Sequence, residues 1–279
     1  MKTVTPRDLT VTHVRLGYGD RTIVPDLSLS IPAGKITAII GPNGCGKSTL
    51  LRGISRLLKP SSGEITLDGQ PVVSYGGKEF ARMVGLLPQS PIAPEGITVA
   101  DLVSRGRYPY QGLFRGNTRE DDAAVAWALE ATNTLELAER QVTELSGGQR
   151  QRVWIAMALA QDTDILLLDE PTTYLDLAHQ VELLDLLADI NDRRGTTMVM
   201  VLHELNLAAR VAHHLVAMKD GEIAAAGTAA KVMTEENLHR IFGLRASVAD
   251  PLGDGSTVVV PHARPVGDPA ENPAGQNLA

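Results

Sequence analysis

A glycine-rich run at residues 41–48, GPNGCGKS, has the residue types and spacing of a phosphate-binding loop. Glycine lets the backbone wrap closely round a phosphate, and successive N–H groups at the start of a helix attract the anion. Lys47 would place its ammonium on the β- and γ-phosphates of a nucleotide, and the Ser48 hydroxyl would coordinate Mg²⁺. An apolar run precedes the loop and a helical pattern follows it, which makes a simple glycine-rich turn the weaker interpretation.

The loop predicts a nucleotide ligand but not a reaction, because kinases, GTPases and motor ATPases share it. A GTPase normally also carries an Asn-Lys-x-Asp motif that reads guanine, and the sequence contains none. The GTPase class is therefore disfavoured, and the reaction has to be inferred from other residues.

Two acids, Asp169 and Glu170, directly follow the apolar run ILLL at residues 165–168. A buried strand of this kind delivers its end to the edge of the sheet where ligands bind in open α/β folds. At that edge Asp169 would hold Mg²⁺ through water, and Glu170 would accept a proton from the attacking water. Two solvated acids at a strand end are the ordinary alternative, which the phosphate loop makes less favoured.

A second potential anion site lies at residues 145–149, LSGGQ, directly before the pattern RQRVWIAMALAQ of a helix. A serine and two glycines at a helix start leave backbone N–H groups free to meet an anion. Taken alone, the stretch is typical of an ordinary helix cap. Its position just upstream of the acidic pair is what favours a functional role.

With these motifs together, the sequence resembles the ATP-binding cassette (ABC) family of ATPases over about residues 9–245. The matched elements follow the family's order: the aromatic Tyr18, which stacks on adenine; the Walker A loop of Gly41, Pro42, Asn43, Gly44, Cys45, Gly46, Lys47, Ser48 and Thr49; the Q-loop residue Gln89; the signature residues Ser146, Gly147, Gly148 and Gln149; the Walker B acids Asp169 and Glu170; the D-loop 173–176 with Asp176; and the switch histidine His203. Tyr18, Gln89, Asp176 and His203 each have an ordinary structural alternative when taken alone, and their shared order favours the functional one.

The resemblance implies ATP and Mg²⁺ as cofactors and an ATPase reaction. It assigns Ser48, Gln89 and Asp169 to the metal, and Glu170 and His203 to catalysis. The nucleotide is assigned to Tyr18, the whole Walker A loop, Gln89, the four signature residues and Asp176. His203 would contact the γ-phosphate and position the water or the departing oxygen. One copy of each motif implies one nucleotide-binding domain over residues 1–265 and a head-to-tail homodimer, in which Ser146 to Gln149 of one chain cover ATP held by Lys47 of the other.

The resemblance also implies partners in a membrane. They are two integral-membrane permease subunits and, through them, a substrate-binding protein, with this chain at the cytoplasmic face of the cell membrane. The segment GRYPYQGLF at residues 106–114 resembles ATPases that serve iron-siderophore, haem and vitamin B12 importers, and siderophore import is the first choice. An exporter ATPase and a non-transport ABC ATPase are the alternatives.

The elements that must position these residues alternate between strands and helices, which predicts an α/β fold with a mainly parallel sheet. In the family's terms this is a P-loop NTPase core with an antiparallel β subdomain and an inserted α-helical subdomain. The pattern predicts an antiparallel pair over 9–31, buried strands at 36–40, 165–168 and 197–202, helices at 47–58, 120–140 and 178–193, a hairpin over 214–225, a helical insertion over about 90–145 and a disordered tail at 266–279.

Composition sets the outer limits. The 26 basic residues against 33 acidic ones give a net charge of −7, which argues against a nucleic-acid partner held by general electrostatics. No apolar run is long enough to span a bilayer, and the first residues lack the pattern of a signal peptide. Cys45 is the single cysteine, so a disulfide framework is excluded; at a helix start its thiol is expected to have a lowered pKa and to react readily.

Overall fold

The computed structural model describes residues 4–112, 118–173, 175–251, 253 and 255–262. The predicted tail at 266–279, Tyr174 of the D-loop, and the last two residues of the segment 106–114 lie outside the described residues.

An antiparallel sheet opens the fold, with strands in the order β2-β1-β4-β5. The alternating pattern over 9–31 is confirmed as a hairpin that turns at Gly19 and Asp20. The strands are β1 (Leu9–Tyr18), β2 (Arg21–Ile31), β4 (Ser62–Leu67) and β5 (Gln70–Pro71).

A second, six-stranded sheet forms the centre of the molecule, in the order β10-β9-β3-β8-β7-β6. All neighbours in it run parallel except β9 and β10, which form the predicted hairpin. Strands β3, β7 and β8 are buried at every position, which explains their continuous apolar sequence. The bounds are β3 (Ile36–Ile40), β6 (Val84–Leu87), β7 (Ile165–Asp169), β8 (Thr197–Val201), β9 (His214–Lys219) and β10 (Glu222–Gly227).

Helices pack on both faces of this sheet, as expected of an α/β fold. They are α1 (Lys47–Ile54), α2 (Gly77–Met83), α3 (Val99–Ser104), α4 (Arg119–Ala131), α5 (Gly147–Ala160), α6 (Leu177–Arg194), α7 (Leu205–Val211), α8 (Ala229–Val232) and α9 (Glu235–Phe242). Helices α3 and α4 lie in the stretch between β6 and β7, and α5 packs against both of them.

Two predicted helices are shorter than expected. Helix α1 ends at Ile54 and not at 58, because Arg56 adopts a left-handed φ of 64° that a helix cannot continue. Helix α4 ends at Ala131 and not at 140. There the Thr132 hydroxyl donates to the Ala128 carbonyl at 2.9 Å and Asn133 has a φ of 53°.

The C-terminal part of the described chain contains elements that the sequence analysis did not predict, namely α7, α8, α9 and the strand β11 (Ala246–Ala249). Strand β12 (Val258–Pro261) pairs antiparallel with β11. Among the described helices, none has the length and apolar character needed to cross a bilayer.

Candidate nucleotide site

The candidate site is built at one edge of the central sheet by four adjacent strands, in the order β3-β8-β7-β6. The phosphate loop follows β3, His203 follows β8, Glu170 follows β7 and Gln89 follows β6. Because these strands are parallel, their carboxyl ends meet at the same edge. Residues that are far apart in sequence are thereby brought into one cleft.

Glycine is required at several positions of the phosphate loop. Gly41, Gly44 and Gly46 have φ angles of 153°, 77° and 104°, which side-chain-bearing residues rarely adopt. A Cβ atom on Gly41 would also lie 2.3 Å from the carbonyl oxygen of Met218 on β9. Glycine at these positions therefore lets the loop pass close to β9 and lead directly into α1.

Lys47 is the first residue of α1, and its side chain folds back over the loop. Its ammonium donates to the carbonyl of Gly41 at 2.8 Å and to that of Pro42 at 2.9 Å. Only 5% of the residue is exposed, although it carries a full charge. The protein thus holds a positive charge in place above the loop, where the sequence predicts the phosphates.

Ser48 and Asp169 meet as the sequence predicts for a metal site. The Ser48 hydroxyl donates to Oδ1 of Asp169 at 2.9 Å. Burial raises the pKa of Asp169 and the nearby charge of Glu170 adds to the effect, while the hydrogen bond from Ser48 opposes it. A hydroxyl and a carboxylate side by side are the hard oxygen ligands that Mg²⁺ prefers, so these residues fit that ion.

Glu170 is held both by its backbone conformation and by its side-chain contacts. Its φ of 55° is left-handed, which costs a residue with a side chain about 1–2 kcal/mol. Its carboxylate is 12% exposed: Oε1 lies 2.6 Å from His203 Nε2, and Oε2 accepts from Gln89 Nε2 at 2.5 Å. Oε2 also accepts from the Thr173 hydroxyl at 3.3 Å. Sequence reasoning placed Thr173 in the D-loop but gave it no contact with the acid.

Tyr18 lies at the wall of the same cleft, whose volume is about 710 Å³. It is 44% exposed, and its hydroxyl accepts from Arg52 Nη1 at 3.1 Å. Arg21 and Ile23, which follow Tyr18 across the hairpin turn, also line this cleft. Sequence reasoning missed these three neighbours; the closeness of Arg21 to Tyr18 in the hairpin was the one available signal.

Ser146, Gly148 and Gln149 of the signature line a different cleft, of about 540 Å³, and none of the described residues that line it also lines the first one. Ser146 is the N-cap of α5, where its hydroxyl accepts from the Gln149 N–H at 3.3 Å. The Gln149 side chain in turn accepts from the Ser146 N–H at 3.2 Å. Gly147 and Gly148 form the first turn of the helix. This capping box gives two backbone N–H groups at the helix start a hydrogen-bond partner.

Asp176 lines this second cleft and not the phosphate-loop cleft. It is the N-cap of α6, and its Oδ1 accepts from the His179 N–H at 2.9 Å. The same oxygen lies 2.7 Å from His179 Nδ1. Hydrogen bonds from the His179 backbone and ring lower the pKa of Asp176. In one chain Asp176 therefore serves the helix, and its predicted contact with nucleotide stays a prediction.

The expectation for Cys45 is wrong. Its side chain is buried within the loop, and this burial raises the pKa of the thiol although the nearby Lys47 opposes the shift. A buried, protonated thiol is a poor nucleophile, so the helix start does not make it reactive.

Comparisons with known proteins bear on the whole site. A family model described as ABC transporter matches residues 24–173. The chain is 51% identical over 252 residues to the ferric enterobactin transport ATP-binding protein of Escherichia coli (strain K12), a match covering 90% of this chain and 93% of that protein. It is 52% identical over 244 residues to the iron(3+)-hydroxamate import ATP-binding protein of Bacillus subtilis (strain 168), covering 87% and 91%.

The fold is similar to that of a dimeric bacterial ABC transporter cassette, MJ0796. The TM-score is 0.71 at 29% sequence identity, and the match covers 79% of this chain and 98% of that one.

Proposed function

Because the chain belongs to the ABC transporter family, we propose that it drives the import of ferric siderophores through separate permease subunits in a membrane. As a member of this family it binds and hydrolyses ATP. The observation that carries the ATPase assignment is the meeting of Lys47, Asp169, Glu170 and His203 at one sheet edge.

In the proposed reaction, Lys47 and the N–H groups of the loop hold the phosphates of ATP. Ser48 and Asp169, with Gln89 nearby, would hold Mg²⁺, which when bound neutralises charge on the phosphates. Glu170 accepts a proton from the water, which attacks the γ-phosphorus in line. The bond between that phosphorus and ADP breaks, and ADP leaves.

His203 supports this step from the neighbouring strand end. Its ring lies against Oε1 of Glu170 at 2.6 Å, and both side chains border the phosphate-loop cleft. We infer that His203 orients the Glu170 carboxylate and contacts the γ-phosphate. Gln89 holds the other carboxylate oxygen, so the acid is steadied from both sides before water is activated.

The proposed assembly is a head-to-tail homodimer. It is supported by the separation of the two clefts within one chain, since Ser146 and Gln149 line a cleft apart from Lys47. A helix start such as that of α5 attracts phosphate, so the signature of one copy would close over ATP held by the other. The dimeric state of the similar cassette agrees with this arrangement.

The siderophore assignment rests on the named relatives and not on the segment 106–114. Within the described part of that segment, Arg107 is buried and pairs with Asp121 at 2.8 Å, and its guanidinium lies 3.8 Å from the centre of the Tyr110 ring. A Cβ on Gly106 would lie 2.3 Å from the Met157 carbonyl. These residues hold α3, α4 and α5 together, so packing accounts for them without any transported substrate.

An uptake experiment tests the proposal. A strain that lacks this protein should lose uptake of ⁵⁵Fe-labelled ferric siderophores, and the wild-type chain should restore it, whereas Glu170→Gln should not. Uptake of haem and of vitamin B12 is measured in parallel. Membrane proteins that copurify with the chain are identified in a separate experiment. Loss of haem or vitamin B12 uptake alone, or undisturbed uptake of all three, would contradict siderophore import.

A further inference from the structure

The carboxylate of Glu170 has a third partner to which no role has been assigned. Thr173 lies three residues further along the chain, and its hydroxyl donates to Oε2 of Glu170 at 3.3 Å. The backbone N–H of Thr173 donates to the Glu170 carbonyl at 3.2 Å. One residue therefore contacts both the backbone and the side chain of the predicted proton acceptor.

This double contact matters because the backbone of Glu170 is in an unfavourable conformation. A left-handed φ of 55° persists only where the surrounding structure holds it. The turn closed by the Thr173 N–H does so locally, within the segment that carries Glu170. The conformation also sets the direction in which the side chain leaves the strand end.

The Thr173 hydroxyl then restricts the orientation of the Glu170 carboxylate. Thr173 and Gln89 both donate to Oε2, which leaves Oε1 facing His203. Gln89 reaches the acid from an exposed loop after a different strand, β6. Thr173 belongs to the same turn as Glu170, so its bond moves with the acid and does not depend on the position of the Gln89 loop.

We propose that Thr173 is a positioning residue for ATP hydrolysis: its hydroxyl holds Oε2 of Glu170 so that Oε1 faces His203 and the cleft. The inference rests on the proposed role of Glu170 as the proton acceptor. It assigns Thr173 no contact with ATP and no part in holding the phosphates. Loss of the hydroxyl therefore slows hydrolysis and leaves nucleotide binding intact.

The test compares three substitutions by steady-state ATPase kinetics and by the affinity for a fluorescent ATP analogue. Thr173→Val removes the hydroxyl at nearly constant volume and should lower kcat about tenfold, the size expected of one hydrogen bond to a charged group, with KM within about twofold. Thr173→Ser keeps the hydroxyl and should retain most of the rate. Thr172→Val removes a neighbouring hydroxyl that makes no hydrogen bond to Glu170, and should leave kcat unchanged.

A further arm places Thr173→Val in the Glu170→Gln background. If Thr173 acts through the acid, its loss should change the residual rate less than about twofold, because coupled residues are not additive. Melting temperatures of all variants show whether they fold, and Thr173→Ala replaces Thr173→Val should the valine variant be unfolded.

Three results would overturn the inference: a wild-type kcat for Thr173→Val, equal losses for Thr173→Ser and Thr173→Val, or an undiminished tenfold effect in the Glu170→Gln background. If Glu170→Gln itself keeps the full rate, the proposed role of the acid fails together with that of Thr173. If Glu170→Gln is inactive and Thr173→Val is not, only the role of Thr173 fails.

Discussion

The phosphate-loop cleft and the signature cleft share one structural feature but differ in their polar side chains. Both contain a helix start, at Lys47 for α1 and at Gly147 for α5. The first adds a buried lysine, the Ser48–Asp169 pair and an acid held by His203. In the second, Ser146 pairs with Gln149 in the cap of α5, and Asp176 pairs with His179 in the cap of α6.

The difference indicates which cleft carries the reactive groups. Groups that could bind a metal and activate water are present in the first cleft, whereas the second offers a capped helix start that attracts an anion. In the proposed dimer, a nucleotide would be held by the first cleft of one copy and covered by the second cleft of the other copy. Damage to each cleft should consequently affect different measured quantities.

The largest effect is expected from Glu170→Gln, which removes the proton acceptor and keeps the shape of the side chain. Hydrolysis should fall by about 100-fold or more, the usual size for loss of a general base. ATP affinity should persist, and light scattering with Mg-ATP should detect dimers that no longer separate. Glu222→Gln, at an exposed acid on β10, is the matched control. An unchanged hydrolysis rate in Glu170→Gln would contradict the role of Glu170 as the proton acceptor in the first cleft.

Lys47→Ala should impair the first cleft at the step of ATP binding, before hydrolysis. It removes the ammonium that lies over the loop at 2.8 Å from the Gly41 carbonyl, so the phosphates lose a charged partner. ATP affinity, measured by calorimetry, should fall about 100-fold, in line with a loss of about 3 kcal/mol. Lys59→Ala, at an exposed lysine after α1, should bind normally. Normal affinity in Lys47→Ala would argue that the cleft does not bind phosphates.

Gly148→Asp tests the second cleft. The new carboxylate would lie at the start of α5, where it repels a phosphate brought by another copy. Each chain should still bind ATP within about twofold, while hydrolysis and dimer formation fall at least about tenfold. Gly148→Ala is the control, because its Cβ would lie at an ordinary 3.4 Å from a Leu175 methyl group. If Gly148→Asp dimerises and hydrolyses normally, the signature does not cover the nucleotide.

Sequence predicted the parts of the first cleft that are contiguous. The run from Gly41 to Ser48 and the pair Asp169–Glu170 each carry their own pattern, since a loop or strand end places neighbouring residues together. The bonds from Thr173 to Glu170 and from Arg52 to Tyr18 depend on turn geometry and on packing between distant segments, which no residue spacing records. The parallel direction of most strands could be predicted from the sequence, but the side-chain contacts could not.

Local patterns failed for a related reason. The periodicity of residues 120–140 predicts one helix, yet the hydroxyl of Thr132 and the left-handed Asn133 end it early. For Cys45 the helix start correctly indicates a field that favours a thiolate, but burial opposes it more strongly. In both cases a competing local interaction or the tertiary environment prevailed over a true but weaker tendency.

The two clefts should also differ in their response to pH. Burial raises the pKa of Asp169 in the first cleft, whereas hydrogen bonds from His179 lower that of Asp176 in the second. A carboxyl with a raised pKa takes up its proton at a higher pH as acid is added, and only its ionised form holds Mg²⁺. The first cleft should therefore lose its metal while the helix cap at Asp176 is still ionised.

The measurement is the Mg²⁺ concentration that half-saturates binding of a fluorescent ATP analogue, followed from neutral pH down to the lowest pH at which the protein stays folded. Below the pKa of the acid, the required Mg²⁺ should rise by up to about tenfold per pH unit, beyond the change that free nucleotide shows by itself. Asp169→Asn should need more Mg²⁺ throughout and lose this dependence, because its amide does not titrate. Asp176→Asn should keep the wild-type curve. If Asp176→Asn flattened the curve and Asp169→Asn did not, the metal would belong to the second cleft, and the division of labour between the two would be reversed.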